Sequence, residues 1–525
     1  MSRRWWFLLF AVLSCRTATV SRNMEESPIV IEAPVIPDTA VFLVRVGIAK
    51  DTRFHARAEN FVISKGGKRL LSGRGDFYVR FAGGRPAHIG YFEILARHRD
   101  MGSAIVDLKI LQESGRKVRL FSTGAVIGPV DTREFLIIEG PYASVEELRR
   151  KGITDSTRYL RLLVEPPSGE AEVIYGNRKL RISTPFEIQY SGLLTLVGYR
   201  EYDPLHGSRR ITRSYPGRFE VWTDVGGKAL TMVNVVHLED YVAGVLPYEM
   251  RPDFPIEALR AQAILARTHA VSNYNRKLNL LIQPYQLTDD VFTQVYGGFT
   301  SVNDRVLRAV RSTRGQVLSY GNRIVEAYFH SSCGGSLESS EVWNLSLDYY
   351  VAKADNADGV PLDLRDELSV RRFIDNPDPR AYCSGMGRET KGSLRGAEKV
   401  FRWRKFVDAD LLGGRLGVGR VVEIIPLERS RGGRIKRLLV IGERGRKTIA
   451  GELNIRRILG HPGYLRSALF YVEPKSGGFL IKGAGFGHGI GMCQYGAGFR
   501  ALDGQKFYQI LQFYIPGSRI KRIYF

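Results

Sequence analysis

The sequence predicts an α+β fold, with a strand-rich N-terminal region followed by a mixed α/β domain that carries a β-rich insertion lobe. Three observations carry that expectation. From Thr39 onward, short alternating stretches such as VFLVRVGIA, ENFVISKGGKRLL and GDFYVRFAGGRP are separated by turn residues, the pattern of strands and hairpins. Further along, Leu259, Ala263, Ala266, Ala270 and Tyr274 recur at three- and four-residue spacing, which marks one buried face of a long helix. Residues from about 400 to 475 then return to strand texture. A chain of 525 residues also exceeds what one hydrophobic core supports, so several domains are expected.

At the N-terminus, Arg3 and Arg4 precede a short apolar run from Trp5 to Leu13, followed by Ser14 and Cys15. A basic start, an apolar run and a small residue before the cut read as a secretory signal over residues 1–20. The run is too short to span a bilayer as a helix. Val12-Leu13-Ser14-Cys15 is similar to a bacterial lipobox, which makes Cys15 the candidate lipidation site and the lipid a membrane anchor. Ordinary cleavage near Ala18 is the alternative. Residues 21–38 hold three prolines and no aromatic residue and read as a flexible linker. The expected location is therefore the cell envelope or periplasm.

Lysine and arginine number 77 against 54 acidic residues, a net charge of +23. Such a field attracts polyanions; export lowers nucleic acid among them, and none is expected as a partner. The charge is also scattered, as at Arg209-Arg210 and Arg371-Arg372, which suits a solvated surface equally well. No apolar run of 18 residues follows the N-terminus, which excludes a multi-span helical membrane protein. Beyond Cys15 the cysteines are Cys333, Cys383 and Cys493, too few for a disulfide scaffold.

A β-rich accessory region is expected over 39–214, its strands running without helix to about Val130. The stretch REFLIIEGPYASVEELRRKGI then reads as strand, turn and helix, with Ser144 as N-cap and Glu147 three residues on. It resembles the sporulation-related glycan-binding repeat, near 133–165; a plain βα element is the alternative reading. From 215 to 525 a second domain begins with a hairpin around Gly226-Gly227. A helix follows from about 255 to 276, with Asp253 as N-cap and Pro255 and Glu257 in its first turn. The β-rich lobe at about 400–475 has one helix near its start and another around Arg456. A glycine-rich turn then feeds a helix, and a final helix presents Phe507, Ile510, Leu511 and Tyr514 on one face.

Several chemistries are set aside by the motifs. The nine histidines form no HExxH, no GK[ST] is present, and the glycines of 483–491 alternate as GxGxGxGxG, unlike the dinucleotide GxGxxG. Three segments stand out instead: LEDYVAGVLPYEM (238–250) with PIEALRAQAILARTHA (255–270), AYFHSSCGGSLESSEVW (327–343) and GFGHGIGMCQYGA (485–497). In order and spacing they resemble the stage II sporulation protein D family, which is related to the amidase-enhancer proteins of bacterial walls. The resemblance covers roughly 216–525.

The resemblance implies that Glu249, in the segment matching PYEM, is a catalytic acid. The residues agree, since Tyr248, Met250 and Phe254 surround it, and an apolar setting raises a carboxyl pKa. The sequence places Glu249 in a loop ahead of the long helix. The implied activity is lytic transglycosylation of peptidoglycan glycan strands, preferentially peptide-free, with one acid/base and 1,6-anhydro-muramic products. A glycosidase of the two-carboxylate kind would need a partner acid; Glu338, Glu341 and Glu257 are the candidates. The alternative function is a non-catalytic glycan-binding modifier that stimulates an N-acetylmuramoyl-L-alanine amidase.

Candidate substrate contacts are Tyr248, Arg267, His330, Ser332, His488, Gln494 and Tyr495. Arg267 could instead pair with an acid such as Glu249 or Asp240, and His488 stands out for its flanking glycines. Cys493 stands where the family more often has serine. No cofactor is required. Zinc accompanies some relatives, and His330 and Cys333 offer ligands for it, completed by Cys383 or His488; a Cys333–Cys383 disulfide and free thiols are the competing readings.

Overall fold

The computed structural model describes residues 35–36 and 42–524, apart from 204–206, 275, 277–279, 291–292, 379, 389–391 and 462. The signal, Cys15 and most of the linker lie outside the described residues. Val35 and Ile36, inside the expected linker, pair in parallel with Val126 and Ile127. Among the described residues no helix is long and apolar enough to cross a membrane.

The alternating stretches build one large sheet of eleven strands. Its centre is the long hairpin Arg53–Lys65 and Lys68–Arg85. Period-two burial follows the sequence, with Phe54, Ala56 and Ala58 inward. The hairpin at Gly226-Gly227 forms as expected between Arg218–Thr223 and Leu230–His237. Its two strands pair with Phe186–Tyr190 and Leu43–Asp51 respectively. The sheet thus runs straight across residue 214, where the sequence suggested a domain boundary. Composition changes there, but the ladder does not.

A second unit is inserted between the large-sheet strands Lys68–Arg85 and Ser168–Tyr175. In chain order it is His88–His98, helix Met101–Glu113, Val118–Thr123, Glu134–Tyr142, helix Val145–Arg150 and Tyr159–Glu165. The strands lie in the order fourth, first, third, second, antiparallel throughout, so the unit is a complete split βαββαβ sandwich. The expected strand–helix unit is its second half. Ser144 Oγ accepts from Glu147 N at 3.2 Å, and Glu147 Oε2 accepts from Ala143 N at 2.8 Å, a reciprocal cap. Helix Met101–Glu113 falls where only strands were expected. Ala104 and Leu108 are buried, while Ile105, Val106 and Ile110 remain exposed, so its apolar residues trace no single stripe.

The remaining half is α+β. Helix Leu238–Glu249 packs on the large sheet, and the long helix Ile256–Asn273 packs on that helix and on strand Gln316–Tyr320, within one continuous core. The long helix starts after Pro255, and its N-terminal cap is not Asp253. The β-rich lobe forms as two three-stranded sheets. Helices Ala409–Leu416 and Glu452–Gly460 lie where they were expected, over a separate core. Strand Phe329–His330 pairs in parallel with Met492–Cys493, and Ser332 bridges to Phe486. The second and third sequence motifs are therefore laced together.

Candidate active site

Glu249 is the last residue of its helix, not part of a loop. Pro247 forfeits one backbone donor, yet the helix continues to Glu249 and ends where Met250 turns extended. The side chain retains partial access to solvent. Its Oε1 accepts from the backbone N–H of Val295 at 3.1 Å. Burial pushes the Glu249 carboxyl up to about 7, against the Val295 hydrogen bond, which acts the other way. The negative end of the helix dipole adds to the upward push. A carboxyl poised there is protonated often enough to donate and basic enough to take a proton back near neutral pH.

The backbone around this acid is held from the third motif. Gln494 Nε2 donates to the Glu249 carbonyl at 2.8 Å and lies 3.3 Å from Gln262 Oε1 on the long helix. Tyr248 lies with its ring beside the Arg213 guanidinium, 5.1 Å away, and its hydroxyl accepts from Ser301 Oγ at 3.3 Å. Gly297 makes room for it, because a Cβ there would overlap the Tyr248 ring. Tyr495 is half-buried beside Phe254, with ring centroids 5.9 Å apart.

The other predicted contacts divide differently. Arg267 is completely buried: Nε and Nη2 donate to both Glu239 oxygens at 2.9 and 2.7 Å, and Nη1 to Gln316 O at 3.0 Å. Its partner is neither Glu249 nor Asp240, and a guanidinium so enclosed cannot reach a glycan. Ser332 is equally buried, with its backbone bridging to Phe486; it shapes the turn and does not face substrate. His330 is buried with Nδ1 on Ile490 O at 3.0 Å. Its ring centroid is 5.4 Å from that of half-buried His488. His488 also packs on Trp343 at 4.7 Å, with Nε2 donating to Phe329 O at 2.9 Å. Burial, with Arg434 and Arg456 nearby, holds the His488 ring down at about 3, so it is neutral near pH 7.

Two candidate second carboxylates are already engaged. Glu338 is enclosed, accepting from Ser430 Oγ at 2.7 Å and Gly432 N at 3.0 Å, with Arg434 3.6 Å away. Glu257 pairs with Arg260 at 2.6 Å and accepts from Phe507 N at 3.0 Å.

The three cysteines are free thiols, so the Cys333–Cys383 disulfide is not formed, although the two sulfurs lie 3.3 Å apart. Cys333, Cys383, Cys493 and Asp355 converge, with donor atoms all within 4.8 Å of one another. His330 is not in that group. Sequence reasoning missed Asp355 and the Val295 N–H altogether; a backbone donor leaves no residue signature, and an isolated aspartate is indistinguishable from a surface one.

A partly enclosed acid at a helix end, its carboxyl held by the Val295 N–H and its backbone by Gln494 of the third motif, defines the class of site. The comparisons then name the family. A model described as a stage II sporulation protein matches residues 226–320. A second, described only as a domain of unknown function, matches 337–491. Stage II sporulation protein D of Bacillus subtilis (strain 168) is 30% identical over 55% of this chain and 75% of its own length. An uncharacterized protein of Brachyspira hyodysenteriae is 28% identical over 55% of this chain and 68% of its own. The amidase enhancer of Bacillus subtilis (strain 168) is 30% identical over 53% of this chain, but only 40% of that relative is spanned. The chain belongs to the stage II sporulation protein D family.

Proposed function

We propose that this protein is an exported peptidoglycan lytic transglycosylase in which Glu249 is the one acid/base. The observation that carries the reading is the Glu249 carboxyl, pushed up to about 7 by burial. Protonated Glu249 donates to the glycosidic oxygen as the bond to the muramic anomeric carbon breaks and oxocarbenium character develops. The resulting carboxylate takes the proton from the muramic 6-hydroxyl as that oxygen bonds to the same carbon. The products are a 1,6-anhydro-muramic end and a free sugar hydroxyl; no water is consumed, and Glu249 finishes protonated. One carboxyl is enough for both proton transfers, which fits the engagement of Glu338 and Glu257 elsewhere. The split βαββαβ unit is suited to hold the glycan strand, and the lipidated Cys15 to keep the enzyme at a membrane.

The test is digestion of purified peptide-free glycan strands by the wild type and by Glu249→Gln, read by mass spectrometry. Anhydro-muramic ends from the wild type alone support the proposal. Ordinary reducing ends mean hydrolysis and send the search to Glu341.

The name of one relative, the amidase enhancer, favours a second reading: a glycan-binding modifier that stimulates a wall amidase. If wild type and Glu249→Gln leave strands intact but equally accelerate peptide release by an amidase, this reading replaces the first.

A further inference from the structure

We propose that Cys333, Cys383, Cys493 and Asp355 form a closed tetrahedral site for a structural zinc ion, bound by three thiolates and one carboxylate oxygen. Their donor atoms lie within 4.8 Å of one another. Cys333 Sγ is 3.3 Å from Cys383 Sγ and 3.2 Å from Asp355 Oδ2. Zinc bonds of about 2.3 Å to sulfur separate tetrahedral donors by roughly 3.5–3.8 Å, within the spread observed, so small side-chain adjustments suffice. All four residues are buried, with no open coordination position for substrate, which is the character of a structural rather than a catalytic site.

The surroundings are those of a metal site. Asp355 Oδ1 accepts from Arg500 Nη2 at 3.1 Å and from the Tyr514 hydroxyl at 2.9 Å, which turns Oδ2 toward the sulfurs. Partners of this kind orient a ligating carboxylate. Cys493 Sγ accepts from the backbone N–H groups of Cys333 and Gly496 at 3.3 and 3.4 Å. It also caps the N-terminus of helix Gln494–Leu502. Gly496 is required there, because a Cβ would collide with Asp355 Oδ2 and the Tyr514 hydroxyl. Three thiolates and a carboxylate around a divalent ion leave two negative charges. Arg500 and Arg402, the latter donating to Gly334 O at 2.8 Å, are placed to balance them.

A disulfide accounts for less. Bonding Cys333 to Cys383 would remove the S–H that faces Asp355 Oδ2 and leave a buried carboxylate oxygen against a neutral sulfur pair, which is costly. The ligands come from four separate segments, so the ion would pin the strand end at Cys333 to the helix that starts at Gln494. Gln494 holds the Glu249 carbonyl, and the ion thereby positions that residue. The metal site itself stands whether or not Glu249 cleaves glycan.

The experiment uses full-length protein purified without chelator or reductant. Elemental mass spectrometry should find close to one zinc per chain. Alkylation in denaturant with chelator, mapped by peptide, should label Cys333, Cys383 and Cys493 alike. Cobalt substitution should give thiolate charge-transfer and tetrahedral d–d bands. Cys383→Ser and Asp355→Asn should lose most of the metal, whereas His330→Ala should keep it. A metal-free protein with Cys333 linked to Cys383 overturns the proposal, as do three free thiols with no cobalt bands, or loss of zinc in His330→Ala with retention in Asp355→Asn. The wild-type measurements decide the matter even if a variant fails to fold.

Discussion

The inserted βαββαβ unit and the half of the chain around Glu249 differ in how deeply they enclose paired charges. In the insert, carboxylates meet their partners at the surface. Arg116 Nη2 reaches Glu139 at 3.0 Å with its side chain 40% exposed, and Arg116 holds the Glu139 carboxyl down to about 2 despite partial burial. In the half around Glu249, besides exposed pairs, three lie inside: Arg267–Glu239, Arg434–Glu338 and Arg500–Asp355, with the three guanidiniums among the largest fully buried side chains. Exposed pairs contribute roughly 0–1 kcal/mol. Buried ones cost several kcal/mol of desolvation per ion and are repaid only by close geometry and further hydrogen bonds. The contrast teaches that this half trades stability for fixed positions, and that Glu249, whose carboxyl accepts from the Val295 N–H, stands apart from those enclosed pairs.

The most severe test of the contrast is at Glu249. General acid–base catalysis contributes about 10²–10⁴-fold, so Glu249→Gln should lower the cleavage rate by that much without loss of folding, as circular dichroism beside the strand-cleavage assay would show. Next, Arg267→Met leaves Glu239 buried beside Tyr524 without its cation and should cost about 3–5 kcal/mol in denaturant unfolding. Arg116→Met in the insert should cost under about 1 kcal/mol. Equal losses would erase the distinction between the regions.

Two smaller effects sharpen it through pH. The Glu249 carboxyl titrates at about 7 folded against an ordinary 4.5, so the folded chain binds this proton more readily than the unfolded one. Stability should therefore fall as pH rises from about 4.5 to about 7 and stay lower above, by at most about 3 kcal/mol. Glu249→Gln should abolish that slope, with the two melting curves converging below pH 4.5. The acid role predicts in parallel that wild-type cleavage declines above pH 7. His488 has the opposite sign: held at about 3 against 6.5, it resists protonation when folded. Its contribution should be complete above pH 6.5 and drain away as pH falls toward 3, and His488→Gln should flatten that acid limb in thermal melts.

Much of the architecture was legible because it is local. The hairpin at Gly226-Gly227, the long helix with Leu259, Ala263 and Ala266 on its buried face, and the Ser144 cap each follow from residues a few positions apart. Helix Met101–Glu113 was not legible, since its exposed Ile105, Val106 and Ile110 blur the stripe. Glu249 was found as a residue but not as a helix end, because Pro247 reads as a breaker when only neighbours are seen. At 214/215 the strand ladder continues from one side to the other, which residues near that position do not reveal.

By itself, then, the sequence determined the alternation that makes the large sheet, the three ordered motifs that mark the family, and Glu249 as the acid to examine. Tertiary structure alone decided which charges are enclosed, that Arg267 belongs to Glu239, and that Cys333 and Cys493, 160 residues apart, meet with Cys383 and Asp355. The physical reason is range. Backbone periodicity and caps depend on groups within a turn or a strand pair, whereas desolvation and coordination depend on every segment the fold brings around a side chain.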